Sequence, residues 1–449
     1  MANLSAGAAK AIITPPVGFP MGVFGLRQGL AQGVHDHLYA RALVLADGLS
    51  MTAVVSLDVS GITKETLRAI ESRVQKLVGI PPTHMLVNST HNHTSPDIIT
   101  TVPPYLETYT LHMADQVAGA VYEAANRLGP ASAGFAWGDL PGATVNRQDR
   151  ERPVDTSVGV LRIDRSDGRP LARIINWACH NLCVGGQYLL WSADFTGVVC
   201  EFVEEADPGS VCLFLSGAGG DVHPFDWWFG NTESSRMNTY DDARDLGEML
   251  GAEAMATLQR TAKERTVPLA VASRTIPMPR HRVSWTAEAA QQQYDTLIRE
   301  LGHYTGETWP EGTNIAVSAT QNPEAYGNGF AQLVLARDQD KPQVPAELRG
   351  LRIGDLLIAC SPGELFNELG REIKDGVGRD RTWVASYCGD YIGYISTRIR
   401  HEEIADVPLD EIVDQARYRR FYGTTNSPFA PEAGEDLVTA SIELALRLK

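Results

Sequence analysis

Among the 449 residues of this chain, no apolar run approaches the roughly 18 residues that a membrane span requires. Basic runs are missing as well. With 39 Lys and Arg against 55 Asp and Glu, the formal charge is −16. Such a chain repels phosphate backbones and anionic lipid, which argues against nucleic-acid binding and polybasic membrane binding. The N-terminus "MANLSAGAAKAIITPP" lacks a basic segment followed by an apolar one, so no secretory signal is read and the cytoplasm is the expected location. Cysteine is sparse: six, scattered, with no spacing that forms a disulfide framework. The one tight pair, Cys179 and Cys183 around His180, has no second pair to complete a zinc ribbon and is not a haem-attachment motif. These cysteines are expected to be buried small hydrophobes. Internal repeats, low-complexity tracts and long Ser/Gly linkers are also lacking.

What remains is an ordinary globular composition, 43% hydrophobic and 21% charged, enough to bury a large core. "ARALVLADG" and "MTAVVSLDVSG" are β-branched runs split by a Gly-containing turn, which predicts a hairpin. "KETLRAIESRVQKLVG" has Leu67, Ile70, Val74 and Leu77 at helical spacing and stops at Gly79. "HMLVNST" is a short buried-strand pattern running into His91, and a helix follows over roughly 105–128. "VGVLRIDRSDGRPLARIINWAC" predicts a second hairpin whose last strand ends at His180. "SVCLFLSGAGGDVHP" is a strand opening into a Gly-rich loop, and Thr239 starts a helix. "LRIGDLLIACSPGELFNELGREIK" predicts strand, turn, strand, turn and helix, with Glu364 in the first helical turn. Strands alternating with helices, several also paired as hairpins, give an α/β chain of mixed β-sheets flanked by helices.

Ligand-type residues gather where the predicted strands end: His91 and His93 in "NSTHNHTSPD", His180 after "IINWAC", Asp221 and His223 after "CLFLSGAGG", Glu364 after "LLIACSPG". Strand ends in α/β proteins converge on a common crevice. In extended backbone His91 and His93 share a face, so both rings can point at one ion; the competing reading is a hydrogen-bonded loop pair. For Glu364 the competing reading is compensation of a helix dipole. "SGAGGDVHP" has two readings, a phosphate cradle or a backbone turn that delivers Asp221 or His223. It lacks the Lys-Ser/Thr of a P-loop. Tyr391 and Tyr394 in "GDYIGYIST" read as packing or site residues, Arg147 as a solvated or site cation, and "DWWFG" at 226–230 as a pocket wall or a core cluster.

Taken together, these segments resemble the catalytic domain of the neutral/alkaline (non-lysosomal) ceramidase family. "ITPPVGFPMGVFG", "GVHDHLYARALVLADG" and "VVSLDVSG" are similar to its N-terminal segments. "NSTHNHTSPD" is similar to its "SATHTHSGPGG", "VNRQ" to "INRSP", and "NWACHNLCVGG…SADFTG" to "NWFAVHPTSM…SGDNKG". "SPGELFNELGREI" is similar to "VPGEFTTMAGRRL", and "GDYIGYIST" to a segment carrying two spaced tyrosines.

The resemblance implies one ceramidase-like domain over residues 1–449 and one Zn2+ per chain, held by His91, His180, Glu364 and Tyr391, with Tyr394 as the rival to Tyr391. It places His93 and Arg147 at the scissile amide and its oxyanion. His223 stands where the family has a serine that takes part in catalysis or substrate binding, with three roles open: acid/base, substrate contact, or ligand of a second metal with Asp221. The family's C-terminal immunoglobulin-like domain is expected to be absent. The expectation is therefore a zinc-dependent amide hydrolase whose small-molecule substrate is smaller or more polar than ceramide. Beside it stand a metal-dependent esterase or lactonase, a dinuclear cyclic-amide hydrolase, and a non-catalytic binding protein of the same fold. Oligomeric state is left open.

Overall fold

The computed structural model describes residues 4–22, 30–96, 98, 104–225, 238–281, 288, 341–405, 423–424 and 426–449. Asp97 and the aromatic stretch 226–230 lie outside the described residues. The larger sheet has eight strands. In spatial order they are β11 (Val211–Ser216), β9 (Pro170–Trp177), β8 (Ser157–Arg165), β6 (Gly129–Asp139), β1 (Ser5–Ile12), β3 (Tyr39–Ala46), β4 (Met51–Leu57) and β5 (Met85–Ser89). The outermost pairs β11·β9 and β4·β5 are parallel, and the pairs between them antiparallel. A second sheet runs β13 (Leu269–Pro279), β14 (Gln343–Ile353), β15 (Leu356–Cys360) and β17 (Thr382–Ala385), with β15·β17 parallel.

Strand alternation explains the layering. Ala42, Val44, Ala53 and Val55 face α1 (Lys64–Val78) and α2 (Pro104–Asn126). Their neighbours Leu43, Leu45 and Val54 join Leu351, Ile353, Ile358 and Trp383 of the second sheet in a core between the two sheets. α3 (Asp194–Ala206) and α4 (Tyr240–Leu258) cover the β8–β9–β11 end of the first sheet. α5 (Asn367–Val377) and α7 (Ala433–Leu446) cover the second sheet; α6 (Arg398–Ala405) follows the site tyrosines. The result is four layers, helix–sheet–sheet–helix, a mixed α/β architecture as expected. Among the described residues no helix is long and apolar enough to cross a membrane.

Both predicted hairpins form, as β3·β4 and β8·β9. α1 starts at Thr63, whose side chain accepts from the Thr66 N–H, and ends at Gly79 with φ 82°. α4 starts at Thr239 in a reciprocal capping box with Asp242. All six cysteines are buried and form no disulfide, as expected.

Candidate metal centre

The C-terminal ends of β5, β9, β11, β15 and β17 meet, and buried amides tie the two sheets together there. Asn88 Nδ2 donates to the Ser386 carbonyl (2.5 Å), and Asn88 Oδ1 accepts from the Ser216 N–H (3.0 Å). Asn176 Nδ2 donates to the carbonyls of Leu215 and Val384 at 2.9 Å each. The Gly-rich loop after β11 threads between the sheet ends. A Cβ on Gly219 would lie 2.8 Å from the backbone of Cys179, and one on Gly220 2.6 Å from the carbonyl of Glu364. Close packing of backbone on backbone accounts for these glycines; nothing in the loop calls for a phosphate.

His91 sits one residue past "NST" with φ 58°, in the left-handed region. The pair is therefore not extended, and the shared-face argument fails in its detail. Even so the kink brings both rings together, with His93 Nε2 3.2 Å from His91 Nε2. The neighbouring turn is held by Ser192, whose carbonyl accepts from Asn92 Nδ2 (2.6 Å) and Thr94 Oγ1 (2.7 Å). His180 lies three residues past the end of β9. Glu364 is not in a helical turn: Pro362 and Gly363, the latter at φ 73°, turn the chain into a two-residue strand, β16 (Glu364–Leu365), and α5 starts at Asn367. β16 pairs in parallel with β18 (Tyr394–Ile395), which brings the carboxylate beside the tyrosine segment.

The three histidines offer ring nitrogens that lie within 4.8 Å of one another, all buried, a group that can hold a metal ion. Hydrogen bonds assign the protons. His91 Nδ1 contacts the Ser60 carbonyl (2.6 Å) and His180 Nδ1 the Gly219 carbonyl (2.8 Å). A carbonyl only accepts, so each Nδ1 carries a hydrogen, and in that tautomer Nε2 is the atom that presents a lone pair. Those lone pairs are 3.1 Å apart. Both face Glu364 Oε2, at 3.3 Å from His91 and 3.4 Å from His180. That oxygen has no hydrogen-bond donor among the described residues. Protonating His180 is not the remedy, because burial, followed by the Arg147 charge, pushes its pKa well below the usual imidazole range. A cation between the three atoms relieves every one of these contacts. Zinc bonds of about 2.0–2.1 Å imply ligand–ligand edges of about 3.3–3.4 Å; the two histidine–carboxylate separations match that edge, and the histidine–histidine separation of 3.1 Å is slightly shorter. The donors present fit zinc.

The two tyrosines part company. Tyr391 Oη donates to Glu364 Oε1, and lost hydration together with the Glu364 charge raises its pKa well above the phenol range. Tyr394 Oη instead accepts from Arg147 Nη2 at 2.9 Å. Arg147 also donates to the Gly220 carbonyl (2.5 Å) and is buried. It follows β7 (Thr144–Asn146), which pairs antiparallel with β12 (Val222–Pro224), so His223 lies opposite Val145. His223 is buried with Nδ1 on the Pro224 carbonyl at 3.0 Å. Asp221 is occupied structurally: Oδ2 accepts from Asn146 Nδ2 and Oδ1 from the Asn367 N–H, each at 2.6 Å.

One residue at the centre escaped the sequence reading. Tyr387 stacks on the His91 ring at 4.1 Å and 13°. Its only signal was proximity to "GDYIGYIST", with no motif of its own.

No protein-family model and no curated protein sequence matches the chain. Among solved structures, the neutral ceramidase from Pseudomonas aeruginosa superposes with a TM-score of 0.73 at 18% identity. The fold is that of neutral ceramidase. The match covers 100% of this chain and 75% of that one, and a ceramidase complexed with C2 gives the same values. At an identity this low the likeness speaks to the fold alone.

Proposed function

We propose that the chain is a zinc-dependent hydrolase of an amide-type bond, in a small molecule more polar or shorter than ceramide. The observation that carries this reading is the convergence of His91 Nε2, His180 Nε2 and Glu364 Oε2, all buried, within 3.4 Å of one another. These three residues would hold the ion, with Tyr391 as the fourth ligand. When bound, zinc polarises a carbonyl and acidifies a water. Everything else falls to the chain's own side chains. His93, whose Nε2 is 3.2 Å from that of His91, takes the proton from water and returns it to the leaving nitrogen. Arg147, oriented by the Gly220 carbonyl and Tyr394, faces the developing oxyanion together with the Tyr394 hydroxyl. His223, buried on β12 opposite Val145, would serve as a substrate contact or second proton carrier. Because both Asp221 oxygens are committed, we favour one ion per chain over two.

A panel of amides and esters with identical acyl groups tests the reaction class. Hydrolysis of the amides, lost on chelation and restored by zinc, is the expected outcome. Turnover of esters alone would replace the amidase with an esterase or lactonase. Inertness of the zinc-loaded chain toward every amide and ester would favour the binding-protein reading.

A further inference from the structure

We infer that Tyr387 is a positioning residue for the metal centre: it fixes the ring plane of His91 by stacking and ties the segments that carry His91 and Glu364 to each other. This rests on the reading of His91, His180 and Glu364 as metal ligands. Three observations converge. The phenol ring lies parallel to the His91 imidazole, centroids 4.1 Å apart and planes 13° apart, and stands edge-on to His180 at 6.5 Å and 86°. Its carbonyl accepts from the Ser89 N–H (3.0 Å), two residues before His91, and its N–H donates to the Gly363 carbonyl (2.9 Å), one residue before Glu364. Its backbone sits at φ 54°, a left-handed conformation that a non-glycine residue keeps only where the surroundings over-determine it.

The hydroxyl takes no part in this. Tyr387 Oη is buried and has no hydrogen-bond partner among the described residues. A flat ring at this position is what the geometry uses. Besides its edge contacts with His93 and His180, His91 has its Nδ1 on the Ser60 carbonyl, a hydrogen bond that permits rocking of the ring about its own axis. The stack removes that freedom and keeps Nε2 aimed at the cavity shared with His180 and Glu364. It does for an aromatic ligand what an outer hydrogen bond does for its tautomer.

The test compares Tyr387→Phe and Tyr387→Leu in the full chain, stripped with a chelator and titrated with zinc against a chromophoric competitor. Cobalt is then substituted and its visible absorption bands report ligand geometry directly. Y387F is expected to bind zinc within about threefold of the parent with an unchanged cobalt spectrum. Y387L is expected to bind about 10–100-fold more weakly with shifted bands, the loss seen when outer-shell support is removed. If Y387L gives no native circular dichroism, Tyr387→Met, which fills a similar volume with a flexible chain, takes its place with the same expectation. Parent-like binding by Y387L or Y387M overturns the positioning role and leaves the metal reading intact. A loss in Y387F equal to that in Y387L overturns it in favour of the hydroxyl. Failure of the parent chain to bind either metal sinks the metal reading and this inference together.

Discussion

A histidine at φ 58° is an expensive way to present a ring, and His91 is held there by its Ser60 contact and the Tyr387 stack. Around it each polar group has a distinct partner, and this separates the roles experimentally. Replacing Arg147 with Ala removes the proposed oxyanion donor without touching a proposed ligand. The expected result is a fall in kcat of about 100–1000-fold at unchanged zinc content, checked by kinetics alongside metal analysis. A matching loss of zinc would instead make Arg147 structural. The histidines stood out in the sequence as ligand types at strand ends, whereas Arg147, in a charged loop, was singled out only by the family resemblance. Glu364 was legible as a residue but not in its setting, since the turn made by Pro362 and Gly363 inserts a strand before the helix. Tyr387 was not legible, because nothing in a sequence marks one aromatic among buried neighbours as the partner of a ring nearly 300 residues away.

At the scale of elements, the strand ends are bolted by side chains that the sequence offered as ligands. Asp221 is the clearest. Its carboxylate joins β7, through Asn146, to the start of α5, through the Asn367 N–H. Burial raises its pKa, and those donors together with Arg147 oppose the rise. Asp221→Ala leaves both donors unsatisfied and should lower stability by about 3 kcal/mol or more, read from urea midpoints. Asp221→Asn should keep zinc near one per chain, whereas a drop from two to one would restore the dinuclear alternative. On α6, His401 carries a pH signature. Burial, reinforced by the nearby His281, lowers its pKa to about 4, so the folded state prefers the neutral ring. A lowered imidazole contributes stability above its unfolded value of about 6.5, and this is lost as pH falls toward 4. His401→Gln should therefore match the parent near pH 7 and exceed it by up to about 3 kcal/mol near pH 4, in denaturant melts across that window. A constant offset at all pH values would contradict this assignment. Helices and hairpins were readable from periodicity, caps and turns. The pairing of β16 with β18 was not, because two-residue strands carry no periodicity.

Over the whole molecule, four layers put one end of each sheet against the other, and the proposed centre lies at that junction with ligands from both. His91 and His180 follow strands of the large sheet, while Glu364 follows β15 of the smaller one. An ion there cross-links the layers. Chelation should lower the thermal midpoint and zinc should restore it, by about 4 kcal/mol at a thousandfold excess over Kd. The mixed α/β class was readable from alternating segments. The stacking of two separate sheets was not, because apolar strands do not announce which face they bury against.

The claim on which the rest depends is that His91, His180 and Glu364 hold a single ion. The direct measurement is zinc per chain, by elemental analysis after equilibrium dialysis, in the parent and in His91→Ala, His180→Ala and Glu364→Ala. The account predicts about one in the parent and close to none in each variant, all retaining native circular dichroism. Zinc retained near the parent level in these variants would contradict it.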